Sequence, residues 1–329
     1  MADAVSRAAG AKPRLFVTFS LPPEVRAVIA DSFDAHYAEA PGALARPGTE
    51  PALAACELVL VTATDTLDAA AVAALPASVR AVATYSVGHE HIDLAAARAR
   101  GLAIYHTPDV LSEACAEVGL LLLLGAARRA TESIALVRGG GWQGWTPLQL
   151  NGWGLTGKRL GVVGMGRIGR EIATRARAFG MEIHYYNRSR LAPGLEAGAQ
   201  YHASAESLLP VSQFLMLACP ATADTIGFLN AARIAQLPRG AIVGNIARGS
   251  LVVDEDLVAA LQTGQVAAAG LDVFNHEPDI HPAYFDLPNC FMLPHIGSAT
   301  IETRVEMGRL VIDSLQAFLR GEPRDNRLA

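Results

Sequence analysis

The chain has 329 residues, of which 51% are hydrophobic and 18% charged, and its net charge at pH 7 is -5. This composition excludes a disordered chain, and the length is typical of two domains with separate cores. Its 27 basic and 32 acidic side chains are scattered without long runs, which argues against a nucleic-acid or anionic-lipid surface and favours a small-molecule substrate.

No stretch of the sequence predicts a membrane span, a disulfide framework or a metal site. The longest apolar stretch, residues 118–127, is about half of the roughly 20 residues that cross a bilayer, so it predicts a buried helix. The four cysteines lie far apart and lack Cys-x-x-Cys spacing, which is typical of a chain in the reducing cytoplasm. Residues 1–14 lack the apolar segment of a signal peptide, and we expect a frayed tail there.

The first third of the chain alternates short apolar runs with helical patterns. Pro22 and Pro23 suit the start of the first helix, because a proline in the first helical turn costs no hydrogen bond. The alternation is typical of βαβ units and predicts a small α/β domain with a parallel sheet. Strands are expected at 15–19, 58–62, 79–84 and 102–105, and helices at 22–33, 67–75 and 92–98.

A long apolar helix and a tryptophan-containing loop come next. Ser112 is the expected N-cap of a helix that runs to about residue 129 and is apolar all round in its middle. Such a helix is buried, either in a core or against a second subunit. After a helix at 131–138, a glycine-rich loop carries Trp142 and Trp145, which we expect either to contact a partner subunit or to pack within the loop.

The chain is organised around a glycine-rich turn. An apolar run at 160–163 precedes the sequence Gly164-x-Gly166-x-x-Gly169, and a helical pattern follows it. This order is that of a dinucleotide-binding unit, in which the glycines allow the turn, let the backbone approach a pyrophosphate, and pack the helix against the strand. A second strand, at 181–186, ends about 20 residues after the glycine turn. In such a fold the residue at this strand end binds the ribose of the adenosine.

Later apolar runs extend this region into a doubly wound parallel sheet of about six or seven strands. An amphipathic pattern predicts a final helix at 299–319. The runs lie at 214–218, 241–246, 268–274 and 291–293.

Three of the predicted strands are followed by polar residues that could carry chemistry. Arg248, Glu277 and His295 all come after a strand, and the carboxyl ends of parallel strands line the ligand crevice of an open sheet. Their types are complementary, since an arginine can fork onto a carboxylate, a histidine can transfer a proton near neutral pH, and a glutamate can orient the ring. We therefore expect the three side chains to converge on a substrate.

Together these motifs resemble the D-2-hydroxyacid dehydrogenase family. The resemblance covers nearly the whole chain. Gly144-Trp-Thr-Pro-Leu148 and Gly154-Leu-Thr-Gly157 are most similar to the NADPH-dependent glyoxylate/hydroxypyruvate reductases of that family. The other matching motifs are 85–93, Gly164-x-Gly166-x-x-Gly169, Cys219-Pro220, Ala247-Arg-Gly-Ser250, Gly270-Leu-Asp-Val-Phe274, Glu277-Pro278 and Pro294-His-Ile-Gly-Ser298.

The resemblance implies a role for each polar residue. Arg248 would bind the substrate carboxylate and keto oxygen, His295 would be the general acid, and Glu277 would hydrogen-bond the histidine. Val87 and Gly88 would offer backbone N–H groups to the substrate carboxylate. The implied cofactor contacts are Gly164, Gly166, Arg167, Ile168, Gly169, Cys219, Pro220, Ile246, Ala247, Asp272 near the nicotinamide end, and Gly297.

The resemblance also implies two Rossmann-like domains in a discontinuous arrangement. Residues 1–103 and 296–329 would form the substrate domain, and residues 104–295 the inserted dinucleotide-binding domain. The implied reaction is the reduction of small 2-keto acids, glyoxylate and hydroxypyruvate, to 2-hydroxy acids by hydride transfer from a nicotinamide cofactor. A homodimer is expected.

The residue after the second strand of the dinucleotide unit predicts which cofactor binds. NAD-preferring folds place Asp or Glu there, which accepts hydrogen bonds from both ribose hydroxyls. This chain has Asn187, followed by Arg188, Ser189 and Arg190, and two cations and a hydroxyl suit a dianionic 2′-phosphate. The pattern favours NADPH, with NADH as the alternative cofactor.

Two functional alternatives stay open. The sequence does not define the size of the substrate pocket, so one alternative is a reductase of a bulkier 2-keto acid. The other is a non-enzymatic NAD(P)-sensing binding protein of the same fold, against which the intact set Arg248, Glu277 and His295 argues. His89 and His91 have a spacing found in metal sites, but no third ligand type accompanies them, so no metal is expected.

Overall fold

The computed structural model describes residues 11–38, 44 and 50–329. The chain divides into two compact units, and each is described by itself. The first comprises Met1–Leu111 and Thr300–Ala329, and the second comprises Ser112–Ala299. The frayed tail expected at residues 1–14 lies largely outside the described residues.

Strands and helices alternate along the described chain. In chain order they are β1 (Arg14–Val17), α1 (Pro23–Ser32), β2 (Asp34–Tyr37), α2 (Glu50–Ala54), β3 (Leu58–Val61), α3 (Ala69–Ala74), β4 (Ala81–Thr84), α4 (Leu94–Arg100), β5 (Ala103–Tyr105), α5 (Ser112–Ala127), α6 (Ala130–Arg138), β6 (Arg159–Val163), α7 (Arg167–Ala178), β7 (Glu182–Tyr186), α8 (Pro193–Glu196), β8 (Gln200–His202), α9 (Ala205–Leu208), β9 (Phe214–Leu217), α10 (Ala231–Ile234), β10 (Ala241–Asn245), α11 (Asp254–Thr263), β11 (Val266–Leu271), β12 (Cys290–Met292) and α12 (Ile301–Arg320).

Each unit is built on one parallel sheet. The first unit has five strands in the order β2-β1-β3-β4-β5, and the second has seven in the order β12-β11-β10-β9-β6-β7-β8. In the second sheet the strand order reverses between β6 and β9, which is where dinucleotide folds place their crevice. The α/β class and the doubly wound parallel sheets predicted from the sequence are confirmed.

The sequence prediction missed two strands, β2 and β8, and both lie at the edge of a sheet. Buried central strands such as β3 and β9 read as continuous apolar runs because both of their faces are covered. The edge strand β2 has the sequence Asp-Ala-His-Tyr, and its residues alternate between exposed and half-buried. Short polar edge strands therefore lack the apolar signal that marks the central strands.

Helix α5 lies in the core of the second unit. Most of its residues are buried, and it packs against β10 and β11. Gly270 on β11 allows a close approach, because a Cβ there would be 2.3 Å from the Leu122 carbonyl oxygen. The buried helix that the apolar run predicts therefore lies in this core. Among the described residues, no helix combines the length and apolar composition needed to span a bilayer.

A buried histidine pair on β7 and β8 makes the stability of the second unit sensitive to acid. His184 Nδ1 and His202 Nε2 are 3.0 Å apart, and each side chain is 8% exposed. Burial lowers the pKa of both rings, and the charge of the neighbouring ring lowers the pKa of His184 further. Unfolded histidines bind protons below about pH 6.5, so unfolding takes up protons there and stability falls as the pH falls.

We expect the free energy of unfolding to decrease below about pH 6.5 by up to ~1.4 kcal/mol per pH unit for each proton taken up on unfolding. The His202→Gln variant should lose part of this slope. Urea denaturation of both proteins at several pH values from about 5 to 8 measures it. Identical pH slopes in the two proteins would contradict the assignment of the effect to this pair.

Candidate active site

Two of the three glycines in the turn after β6 lie so close to other backbone atoms that no side chain fits. Gly164 has φ +97°, and a Cβ there would lie 2.5 Å from the Cys219 backbone nitrogen. A Cβ on Gly169 would lie 2.2 Å from the Gly164 carbonyl oxygen. Neither clash can be relieved by a side-chain movement, so these glycines hold α7 close to β6 and allow Cys219, two residues after β9, to lie against the turn.

Gly166 differs because the protein itself leaves space beside it. A Cβ on Gly166 would meet no heavy atom within 4 Å. Gly166 is also the N-cap of α7, where no side chain caps the helix and the first turn holds no acidic residue. Arg167 and Ile168 form the start of that turn. An uncapped helix N-terminus with open space before it suits a phosphate group, so the turn fits a dinucleotide cofactor.

The loop after β7 is tied to the glycine turn by Asn187. Its Oδ1 accepts a hydrogen bond from the Met165 N–H at 2.7 Å. Arg188, Ser189 and Arg190 follow and are exposed. With its Oδ1 turned toward the glycine turn, Asn187 can offer the N–H groups of its Nδ2 to a ligand, and a phosphate can accept a hydrogen bond from them.

The backbone after β10 is shaped by Asn245, a residue to which sequence reasoning gave no role. Asn245 is fully buried, its Nδ2 donates to the Arg248 carbonyl oxygen at 2.8 Å, and its Oδ1 accepts from the Ala247 N–H at 3.0 Å. These two bonds fold Ile246, Ala247 and Arg248 into a fixed loop. An Asn at a strand end is a signal for such a side-chain-to-backbone turn.

Close backbone contact brings this loop against the segment after β11. A Cβ on Gly249 would lie 1.9 Å from the Phe274 carbonyl carbon. The Phe274 N–H in turn donates to Glu277 Oε1 at 2.8 Å. The glycine therefore allows the Arg248 loop to lie beside the segment that carries Glu277.

His295 and Glu277 form a hydrogen-bonded pair. His295 Nδ1 lies 2.7 Å from Glu277 Oε2, and the histidine side chain is 47% exposed. An ionised carboxylate can only accept, so Nδ1 carries the proton of this bond. Nε2 is thus the ring nitrogen that remains for a ligand.

The Glu277 carboxyl is ionised at neutral pH. Burial by itself raises its pKa, but the hydrogen bonds from His295 and the Phe274 N–H, with the charges of His295 and Arg248, outweigh burial and lower the pKa. The field of Arg248 therefore reaches the same carboxylate that hydrogen-bonds His295. The three polar residues singled out in the sequence therefore form one electrostatic group.

Asp272 holds the backbone of His295 in place. It is 1% exposed, its Oδ1 accepts from the Ile296 N–H and its Oδ2 from the Gly297 N–H, both at 2.8 Å. Its carbonyl oxygen also accepts from the His295 N–H at 2.8 Å. His295 has φ +53°, a conformation that few non-glycine residues adopt, and these bonds support it. Burial raises the pKa of Asp272 against the lowering effect of the amide hydrogen bonds.

Val87 and Gly88 lie in the first unit, in the loop after β4. The Val87 carbonyl oxygen is 2.9 Å from His106 Nδ1, and the Gly88 carbonyl oxygen accepts from the Ser86 hydroxyl at 2.6 Å. In the described part of the chain, neither of their N–H groups donates to another protein group. The loop therefore presents amide donors, as the substrate role expected for it requires.

Comparison with known proteins identifies the family. The model of the D-isomer specific 2-hydroxyacid dehydrogenase NAD binding domain matches residues 120–297. The chain belongs to the D-isomer specific 2-hydroxyacid dehydrogenase family. It is therefore an NAD(P)-dependent 2-hydroxyacid dehydrogenase, as the resemblance predicted.

Three similar members of this dehydrogenase family carry specific names. Glycerate dehydrogenase of Hyphomicrobium methylovorum is 40% identical over 97% of this chain and 99% of its own length. Glyoxylate reductase/hydroxypyruvate reductase of Mus musculus is 38% identical over 96% of this chain and 97% of its own. The solved structure of the NADPH-dependent glyoxylate/hydroxypyruvate reductase of Sinorhizobium meliloti, in complex with NADP and malonate, is 32% identical, with a TM-score of 0.85 over 97% of both chains.

Proposed function

We propose that this dehydrogenase reduces glyoxylate and hydroxypyruvate with NADPH, and that His295 is the general acid. The observation that carries the proposal is the His295–Glu277 hydrogen bond of 2.7 Å, with Arg248 close enough to lower the pKa of the same glutamate. All three residues follow strands of the sheet that carries the glycine turn. The names of the Mus musculus and Sinorhizobium meliloti relatives support the choice of substrates.

His295 supplies the proton of the reaction. When bound, the reduced nicotinamide supplies the hydride that the keto carbon accepts. His295 gives its Nε2 proton to the keto oxygen as that bond forms, so a full negative charge does not build up on the oxygen. Glu277 keeps the ring oriented by accepting the hydrogen bond from Nδ1, so that Nε2 faces the substrate.

Arg248 orients the substrate and stabilises the charge on its oxygens. The residue is half-buried, and its main chain is fixed by Asn245. A planar fork of N–H donors matches the carboxylate of a 2-keto acid and can also reach the adjacent keto oxygen. The charge of Arg248 also disfavours protonation of Glu277.

The preference for NADPH rests on the loop 187–190. Asn187 replaces the carboxylate that would repel a 2′-phosphate, and its free N–H donors suit that phosphate. The NADP complex of the Sinorhizobium meliloti relative supports the choice. Steady-state kinetics with glyoxylate should give a higher kcat/KM for NADPH than for NADH. A value for NADH equal to or above that for NADPH would overturn this part of the proposal.

Gly166→Ala tests whether the space at the glycine turn belongs to the cofactor. We expect the variant to fold with an unchanged thermal midpoint, because the added methyl meets no protein atom. Its Kd for NADPH should rise at least about tenfold, because the methyl keeps the backbone away from the pyrophosphate. Calorimetric titration measures the Kd, and Gly154→Ala, at another glycine with open space, is the matched control. Unchanged NADPH binding by Gly166→Ala would place the pyrophosphate elsewhere.

We also propose that the second unit is the dinucleotide domain, that the first is the substrate domain, and that the protein is a cytoplasmic homodimer. The sequence puts the domain boundaries at 103/104 and 295/296, and the compact units divide after Leu111 and Ala299. Trp142 and Trp145 are 55% and 81% exposed, which favours a contact surface over packing within their loop. Analytical ultracentrifugation tests the dimer, and a monomer at micromolar concentration would contradict it.

A further inference from the structure

The loop that follows β7 is anchored at both ends. At its start, the Asn187 side chain accepts the Met165 N–H at 2.7 Å. At its end, Arg190 Nε and Nη2 donate to the two carboxylate oxygens of Glu196, at 2.8 and 3.0 Å. The first anchor joins the loop to the glycine turn, and the second joins it to α8. Arg188 and Ser189 are the residues between the two anchors.

Tyr185 connects the second anchor to the sheet. It is a fully buried residue of β7, and its hydroxyl donates to Glu196 Oε1 at 2.6 Å and accepts from the Leu191 N–H at 3.1 Å. The ring of Tyr201 on β8 lies 5.3 Å from that of Tyr185, and the Arg190 guanidinium lies 5.7 Å from the Tyr201 ring. The anchor is thus a network of packed and hydrogen-bonded groups on two neighbouring strands, and it fixes the direction of Arg190.

The charge of Arg190 is already balanced in this network. Glu196 is 7% exposed, and the hydrogen bonds from Arg190 and Tyr185 lower its pKa to about 2, so it is ionised at neutral pH. A bidentate ion pair holds the guanidinium in one geometry and cancels most of its field at a distance. Arg190 therefore offers a dianionic phosphate little net charge.

Arg188 has the opposite environment. It is exposed, and in the part of the chain that the structure describes its side chain forms no hydrogen bond or ion pair. Its full charge and all five N–H donors stay available for a ligand. The sequence alone treats the two arginines as equivalent, whereas their surroundings separate them.

We propose that Arg188 is the residue that distinguishes NADPH from NADH, and that Arg190, Glu196 and Tyr185 are positioning residues that hold the loop for either cofactor. The proposal rests on the proposed NADPH-dependent function. A 2′-phosphate then gains charge-assisted hydrogen bonds from Arg188, whose backbone is held between the Asn187 and Arg190 anchors. Loss of the second anchor leaves the loop to be ordered on binding, a cost that falls on both cofactors alike.

The test is the Kd of full-length protein for NADPH and for NADH, measured by calorimetry without a keto acid. For Arg188→Ala we expect the Kd for NADPH to rise about 10- to 100-fold and the Kd for NADH to stay unchanged. For Arg190→Ala and Glu196→Gln both Kd values should rise by the same factor, about three- to tenfold, so that the ratio of the two Kd values stays that of the wild type. Arg190→Lys keeps the charge but loses the fork, so it should behave like Arg190→Ala.

One further variant and one control separate a positioning role from a general loss of structure. Tyr185→Phe removes only the hydroxyl that joins Glu196 to Leu191, and it should also raise both Kd values together. Arg320, the last residue of α12 in the first unit, forms an equivalent fork with Glu322, at 2.9 and 2.8 Å. Arg320→Ala should leave both Kd values unchanged. Thermal unfolding of each variant shows that the titrations are made on folded protein.

A selective loss of NADPH binding in Arg190→Ala, with that binding restored in Arg190→Lys, would overturn the proposal. So would an Arg188→Ala variant that binds both cofactors as the wild type does. A wild-type protein that binds NADPH and NADH equally would contradict the cofactor preference and with it the selective role of Arg188. The positioning role of Arg190 would still be decided by whether its variants weaken both cofactors. Binding without turnover of any 2-keto acid would contradict the proposed reaction alone.

Discussion

Replacing His295 by asparagine is expected to lower kcat for glyoxylate reduction by about 10²- to 10⁴-fold, the usual contribution of a general acid. Asparagine can still hydrogen-bond Glu277, but it cannot transfer a proton to the keto oxygen. The Kd for NADPH should change little, because the proposal gives His295 no cofactor contact. Stopped-flow measurement of NADPH oxidation under single-turnover conditions separates the chemical step from product release.

The control for this result is His281→Asn. His281 caps a short turn by accepting the Ala283 N–H, a bond that asparagine can also accept, so this variant should keep wild-type kcat. Glu277→Gln is expected to lower kcat less than His295→Asn does, because a neutral amide still accepts the Nδ1–H hydrogen bond but holds the ring less firmly than a carboxylate. An His295→Asn enzyme with kcat within about threefold of wild type would remove histidine from the mechanism.

Replacing Arg248 by alanine is expected to lower kcat/KM for glyoxylate by about 10²- to 10³-fold, in line with the loss of a charge-stabilising donor. The effect should appear in both kcat and KM, because Arg248 is proposed to bind the carboxylate in the ground state and the keto oxygen in the transition state. Arg248→Lys keeps the charge but not the bidentate geometry, so its kcat/KM should lie between those of alanine and wild type. Initial rates over a range of glyoxylate concentrations provide the measurement.

An Arg248→Ala enzyme that keeps the wild-type KM for glyoxylate would show that another group binds the carboxylate. Exogenous guanidinium offers a further check on the alanine variant. Partial recovery of kcat with millimolar guanidinium chloride is the expected result, since the small cation supplies the missing fork of donors. The pKa of Glu277 should also rise in the alanine variant, because the charge of Arg248 contributes to the lowered pKa of that carboxyl.

The sequence predicts the central strands and the glycine turn well because burial and sterics leave few choices there. Strands such as β3, β9 and β10 are buried along their length, and their largely apolar sequences predict this burial. Gly164 and Gly169 are fixed by backbone contacts that no other residue permits. The edge strands β2 and β8 carry polar residues on exposed faces, so the same signal is absent from them.

The chemistry of the site could be anticipated by residue type, but its supports could not. Glu277 and His295 meet at 2.7 Å, as complementary types after neighbouring strands suggested. Asp272 accepts the N–H groups of Ile296 and Gly297 because the folded chain turns after β12. The sequence alone predicts only a cofactor contact for Asp272. The fork between Arg190 and Glu196 likewise depends on how the loop after β7 returns to the sheet. The sequence of a polar loop therefore does not show which of its residues bind a ligand and which bind other protein groups.

The proposed reaction is tested by NADPH oxidation by purified protein with hydroxypyruvate, followed by chiral analysis of the glycerate formed. We expect NADPH consumption matched by D-glycerate formation, weaker activity with pyruvate and phenylpyruvate, and loss of activity in His295→Asn. NADPH binding without oxidation by any of these 2-keto acids would contradict it and favour a cofactor-sensing protein. A preference for phenylpyruvate would instead assign the enzyme to bulkier substrates.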